Sequence, residues 1–170
     1  REGRKSWIFT TLVEKRDSIG RLEELLNQNG IKAVVLRSAA VSPIDREAWI
    51  KKTGPRYDVI LSHPDLVKTG LDFFDQGGSF NFPTIMFYMT GYNSFTLSQA
   101  SRRAWRIGQR EVCKVRYYFA AGTMQETCMT LMAKKMSATT PVISILAGGL
   151  ACAPRVRLSV ASVFLASARR

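Results

Sequence analysis

Apolar and polar positions along the chain switch between two periods, and the switching predicts strands and helices in turn. Ser6 to Thr11 (SWIFTT) is a short β-branched and aromatic run that reads as a strand. From Asp17 to Asn29 the apolar residues Ile19, Leu22, Leu25 and Leu26 fall at helical spacing, and Gly30 supplies a natural stop. Ile31 to Leu36 (IKAVVL) is a second apolar run of strand length. In SPIDREAWIKK, Ser42 stands as an N-cap, Pro43 as the first helical residue and Asp45 three after the cap. The alternation continues through YDVIL at Tyr57 to Leu61, a loop-to-helix stretch over Leu66 to Phe74, and TIMFYM at Thr84 to Met89. A helix from Ser94 to Arg106, a strand from Val112 to Phe119 and a helix from about Thr123 to Met136 complete the pattern. Continuously apolar strands alternating with helices predict an α/β fold, with a mostly parallel sheet flanked by helices on both faces. Ligands of such sheets gather at the carboxyl ends of the strands. The loops after Thr11, Leu36, Leu61 and Met89 are therefore the ones to watch.

The pattern weakens toward the end of the chain. After Glu126 there is no acidic residue, and from Ala138 onward the sequence turns rich in Ala, Ser and Val with scattered arginines and keeps neither period. Residues 1–137 are thus expected to form one compact domain and 138–170 a poorly predictable tail, disordered, the product of a frameshifted or truncated reading frame, or native but unusual. With 170 residues, 46% of them hydrophobic, the chain can bury one sizeable core.

Charge narrows the partners. The formal net charge is +12, which favours a polyanion such as nucleic acid or nucleotide phosphate. The three cysteines, Cys113, Cys128 and Cys152, are widely spaced and odd in number, so they suggest neither a disulfide framework nor a zinc ribbon, and a reducing cytoplasm fits them. A single histidine, His63, removes most metal-site and triad arrangements, and it reads as a loop residue. REGRKSW at the start lacks the apolar core of a signal peptide. The most apolar run, Val142 to Ala153, is too short to span a bilayer, so no membrane segment is expected.

The densest chemistry lies in QASRRAWRIGQ, Gln99 to Gln109. On a helix, Gln99, Arg103 and Arg106 fall at i, i+4 and i+7 and share one face, with Arg102 pointing elsewhere. Paired guanidiniums suit a phosphoryl group, because each is permanently charged and presents forked donors that match phosphate oxygens. The same arginines would also serve as a solvated basic face, with Trp105 packed on the sheet.

QASRRAWRIGQ resembles motif VI of the superfamily-two helicases, specifically the Swi/Snf-type DNA-dependent ATPases, in which Gln, two spaced arginines and a closing Arg-x-Gly-Gln recur. Other segments resemble the same family in the same order. SWIFTT is similar to its strand-and-Thr motif IV, and LRSAAVSPIDREAWI to the segment that follows. LSHPDLVKTGLDF resembles motif V, with Gly70, Leu71 and Asp72 at its core, and GTMQETCMTLMAKK resembles the closing helix. The similarity spans roughly Lys5 to Met136.

This resemblance implies a RecA-like three-layer domain, the second lobe of an ATP-driven motor on duplex DNA. It makes Arg103 and Arg106 arginine fingers, on a helix that Trp105 and Ile107 would hold down, and Gln99 a helper at the phosphate end, with a value of roughly 10³ to 10⁵ in rate where such fingers are measured in other NTPases. Gly70 and Asp72 would bind ATP, Gly70 by close backbone approach and Asp72 by bonding the ribose or partnering the fingers, and so couple the nucleotide to the nucleic acid. Thr10, Thr11, Arg37, Ser62, Lys68 and Thr69 would contact nucleic-acid phosphates. ATP with Mg²⁺ is the implied cofactor. Nothing in the chain resembles G-x-x-x-x-G-K-[ST] or an Asp-Glu-x-His box. The Mg²⁺ ligands and phosphate cradle are therefore expected on a first lobe supplied in cis or in trans, and the chain alone is expected to be inactive. The rival reading is a stand-alone basic nucleic-acid-binding module without ATPase activity. A small-molecule α/β enzyme is disfavoured, since no dinucleotide glycine fingerprint follows the first strand.

Overall fold

The computed structural model describes residues 3–11, 17–67, 70–89, 91–105, 107–146 and 157–163, with side chains through residue 138. The strands are β1 (Ser6–Phe9), β2 (Ala33–Leu36), β3 (Val59–Ser62), β4 (Thr84–Phe87), β5 (Lys114–Ala120) and β6 (Arg157–Val163). The helices are α1 (Ser18–Gln28), α2 (Arg46–Thr53), α3 (Ser94–Ser101) and α4 (Met124–Leu146), with a short 3-10 turn at Pro64–Val67 between β3 and β4. All strand pairs are parallel, in the order β2-β3-β1-β4-β5-β6. The expected α/β class with a parallel sheet is the one found.

The period of two within each strand sends alternate side chains to opposite faces. Trp7, Phe9, Leu36, Ile60, Ile85, Phe87, Val115 and Tyr117 join one core with Ile50 of α2, Leu97 of α3 and Met132 of α4. Ile8, Ala33, Val59 and Leu61 join a second core with Ile19 of α1. Right-handed crossovers produce this division. The step from β1 to β2 runs one way along the sheet, and every later connection runs the other way, so among the described helices α1 stands alone on its face.

Helix ends follow local chemistry. Asp17, at φ +33°, caps α1 by accepting from the Gly20 N–H at 3.3 Å. A Cβ at Gly20 would come within 2.4 Å of that carboxylate, so the cap needs glycine there. Gly30, at φ +74°, ends α1 as the sequence predicts. Three expectations need correction. Helix α2 starts at Arg46 and not at Pro43: Ser42 donates its hydroxyl to the Asp45 carboxylate at 2.7 Å, closing a turn over residues 42–45 instead of capping a helix. The stretch Leu66 to Phe74 is not helical beyond Val67. It leads into a loop closed by a Phe74–Asn81 bridge, with the Phe82 N–H donating to the Phe73 carbonyl at 2.8 Å. Helix α3 ends at Ser101, short of Arg106.

That irregular loop is held by aromatic packing. Phe73, Phe80 and Phe82 are buried, Phe73 stacks on Trp7 at 3.9 Å between centroids, and Phe82 meets Trp7 edge-on at 5.7 Å. The loop can thus leave regular structure without exposing its apolar side chains. Helix α4 runs past Met136 to Leu146, and β6 pairs along the whole of β5. Among the described residues no helix is long and apolar enough to cross a membrane.

Candidate functional site

The carboxyl ends of β3, β1 and β4 lie side by side at the centre of the sheet, where the chain leaves β1 toward one edge and β3 toward the other. This is the position at which open parallel sheets bind ligands. Thr10 is wholly buried there, its N–H donating to the Ser62 carbonyl at 3.2 Å. Thr11, one residue on, is half-buried and lines a rim cavity of about 130 Å³ with His63, Asp65, Asn93 and Thr96. Ser62 is also fully buried, and its Oγ accepts from Trp7 Nε1 at 2.9 Å, so this hydroxyl is engaged within the core. Arg37, after β2, donates to Asp17 Oδ1 at 3.2 Å from both terminal nitrogens. Lys68 and Thr69 lie outside the described residues. The sequence reading missed two residues of this rim. Asn93 caps α3 by accepting from the Thr96 N–H at 3.1 Å, and the buried Thr96 hydroxyl has no hydrogen-bond partner among the described residues.

Gly70, at φ +67°, turns the chain in the left-handed region that glycine tolerates best. The turn buries Leu71 and leaves Asp72 exposed. Gly70 and Asp72 line a cavity of about 370 Å³ with Glu47 and Lys51 of α2, Asp75 and Ile107. The Gly-Leu-Asp core and the end of QASRRAWRIGQ, some 35 residues apart in sequence, therefore border one space. The Asp75 carboxyl is held below the usual carboxylate range by the Ser79 hydroxyl and N–H that it accepts.

Gln99 sits half-buried in the last turn of α3, and Arg103 follows in the turn beyond it, half-buried, its N–H donating to the Ala100 carbonyl at 3.2 Å. Both remain at the C-terminal end of α3, although not on one helical face, because the helix has already ended. Arg106 lies outside the described residues. The expected anchors are a further correction: Trp105 is 46% exposed and Ile107 92% exposed, so neither holds this segment down. Buried Ala100 and Ala104 seat it instead. Gln109 then locks it. Its Nε2 donates to Asn81 Oδ1 at 2.9 Å and to the Ala104 carbonyl at 3.1 Å, while its Oε1 accepts from Asn81 Nδ2 at 3.0 Å and from the Glu111 N–H at 3.1 Å. Cys113 Sγ donates to the same Ala104 carbonyl at 3.3 Å, and burial pushes its thiol pKa up, which keeps it a neutral donor. Asn81 gave no signal in the sequence, because it lies in a loop without periodicity.

The candidate residues thus border two separate spaces, the rim at the carboxyl ends of β1, β3 and β4 and the cavity beside α2 where the Gly70 turn meets Ile107. No family model matches the chain, and no curated protein does. Among solved structures, the chain is similar to the C-terminal part of the Fun30 ATPase domain, with a TM-score of 0.62 and 17% identity over 76% of this chain and 39% of that one. The chain spans well under half the length of that structure. It also aligns with the Pyrococcus furiosus Hef helicase domain, with a TM-score of 0.49 and 17% identity over 76% of this chain and 25% of that one. The chain accordingly shares the RecA-like α/β fold of that part of an ATPase domain, an all-parallel sheet flanked by helices.

Proposed function

We propose that this chain is the second motor lobe of an ATP-dependent DNA translocase of the Swi/Snf type. The observation that carries the reading is the coincidence of a RecA-like fold similar to the C-terminal part of an ATPase domain with QASRRAWRIGQ, which starts in the last turn of α3 and leads toward β5. In this reading Arg103 and Arg106 reach the γ-phosphate of ATP held by a first lobe, and Gln99 assists. The guanidinium of Arg103 and the amide of Gln99, at the same end of α3, are donors that fit phosphate oxygens. Gly70 and Asp72 carry the state of the nucleotide toward the sheet rim. There Thr11, with Arg37, Lys68 and Thr69, contacts duplex phosphates, and buried Thr10 and Ser62 support the rim from within. Residues of the first lobe would hold Mg²⁺, which would supply neutralisation of phosphate charge there. Closing and reopening of the two lobes would then move the protein along the duplex.

The chain alone separates this reading from a basic binding module. With a labelled duplex of about 30 base pairs, affinity should fall steeply with salt. Arg103→Ala should leave both affinity and salt slope within about two-fold of wild type, because the finger faces nucleotide and not DNA. A drop of ten-fold or more, with a shallower slope, would place Arg103 on the DNA and favour the binding module.

A further inference from the structure

The rim cavity at the carboxyl ends of β1, β3 and β4 is flanked by aromatic side chains that the core does not use. Tyr92 and Phe95, on either side of the Asn93 cap, are 56% and 66% exposed, while Thr96 and Leu97 beside them are buried and line the cavity. Single exposed aromatics are ordinary, but two within four residues at the mouth of a polar cavity offer a face to a flat apolar group.

The cavity itself presents hydrogen-bond donors. His63 Nδ1 accepts from the Asp65 N–H at 3.1 Å, so the neutral ring carries its proton on Nε2, and no described residue accepts from it. Asp65 is the one carboxylate lining the cavity, and it approaches the ring at Nδ1, 3.7 Å away. Thr96 is 5% exposed, and its hydroxyl has no hydrogen-bond partner among the described residues, a cost that an incoming acceptor would remove. The first two N–H groups of α3 have no partner within the helix, because Asn93 engages only that of Thr96. At about 130 Å³ the cavity is well below the roughly 300–1,000 Å³ of pockets that enclose a whole small ligand. It admits a phosphoryl group and leaves whatever is attached to that group outside, beside the exposed rings.

We propose that this rim holds one unpaired nucleotide of a nucleic-acid strand, with its phosphate in the cavity and its base stacked on the Tyr92 and Phe95 rings. Donors select the phosphate, and the rings select a base of any sequence, since every base has a π-face. The proposal rests on the reading of this rim as a nucleic-acid face and goes beyond it. A base paired within a duplex has both faces covered by its neighbours and offers none to a side chain, so the chain prefers a duplex that ends in a single strand over a blunt one.

The test compares three labelled probes by fluorescence anisotropy: a blunt duplex, the same duplex with a thymidine overhang, and the same duplex with an abasic sugar-phosphate overhang. The thymidine overhang should bind roughly ten-fold more tightly than the abasic one. Phe95→Ala with Tyr92→Ala should bring the two within about two-fold, Phe95→Trp should keep the preference, and Thr96→Val should weaken both overhangs alike, all with wild-type circular dichroism. Equal binding of the two overhangs, each weakening with salt, would overturn the proposal and leave the phosphate-contacting rim intact. Failure to bind any of the three probes would remove the nucleic-acid reading of the rim as well. A preference that survives the double alanine variant would overturn the proposal, because the base would then lie elsewhere. So would displacement of the probe by a phosphorylated peptide more readily than by an unlabelled thymidine strand, since the occupant would then be a protein segment.

Discussion

The Asn81–Gln109 amide pair makes a quantitative claim about how the arginine-bearing segment is held. The two side chains exchange hydrogen bonds at 3.0 and 2.9 Å, and each also bonds elsewhere, Gln109 to the Ala104 carbonyl and Asn81 to Glu111 Oε1. A net hydrogen bond contributes about 0.5–1.5 kcal/mol, and solvent at this half-buried site replaces part of what is lost. The two shared bonds should therefore give a coupling energy of about 1–2 kcal/mol. Gln109→Ala alone removes four bonds and should cost roughly 2–3 kcal/mol, and Asn81→Ala, which removes three, roughly 1.5–2.5 kcal/mol. The assay is urea unfolding followed by circular dichroism for wild type, both single variants and the double variant. The double variant should be less destabilised than the sum of the singles by the coupling energy. Additivity within about 0.5 kcal/mol would mean the pair is not a unit, and the account of how the segment is locked would fail.

Two further perturbations follow from the same structure. Burial pushes the Tyr117 phenol up to about 12 from an ordinary value of 10.0. Folding thus favours the neutral phenol, a contribution fully present below pH 10 and lost as pH rises toward 12, and worth on the order of 2–3 kcal/mol. Tyr117→Phe should remove that part of the alkaline loss in stability, and an unchanged slope between pH 10 and 12 would contradict the assignment. Gly70, at φ +67°, has open space around its missing Cβ, so Gly70→Ala meets only backbone strain and should cost about 1–2 kcal/mol. A neutral result in thermal unfolding would show that this turn relaxes away from the left-handed region.

Much of the scaffold was legible because strand runs such as SWIF, VILS and TIMF are apolar on both faces, a pattern that only a sheet covered on both sides requires. The helix stop at Gly30 was legible for an equally local reason. Helix boundaries failed where side chains chose other partners: Ser42 bonded the Asp45 carboxylate, and α3 stopped at Ser101 despite helix-forming residues beyond it. The aromatic residues Phe73, Phe80 and Phe82 of the loop after Val67 pack into the core. Their loop geometry depends on stacking against Trp7, more than 60 residues earlier, and no local pattern encodes that. At the site, the order of the segments was readable, but the locking of Gln109 by Asn81 was not, since amide pairing leaves no periodic trace. Trp105 and Ile107 misled for a related reason: an apolar side chain beside a buried one need not be buried itself.

The central claim, that Arg103 acts on ATP as part of a two-lobe motor, is tested most directly by DNA-stimulated ATP hydrolysis of the full product of the gene encoding this chain. Wild type, Arg103→Ala and Arg103→Lys should be compared at saturating duplex. The account predicts stimulated hydrolysis in wild type, a loss of about 10³-fold or more in Arg103→Ala, and little rescue by lysine, which lacks the forked donors. Wild-type rates in Arg103→Ala, or a full-length protein with no ATPase at all, would contradict it and leave a basic nucleic-acid-binding module as the better account.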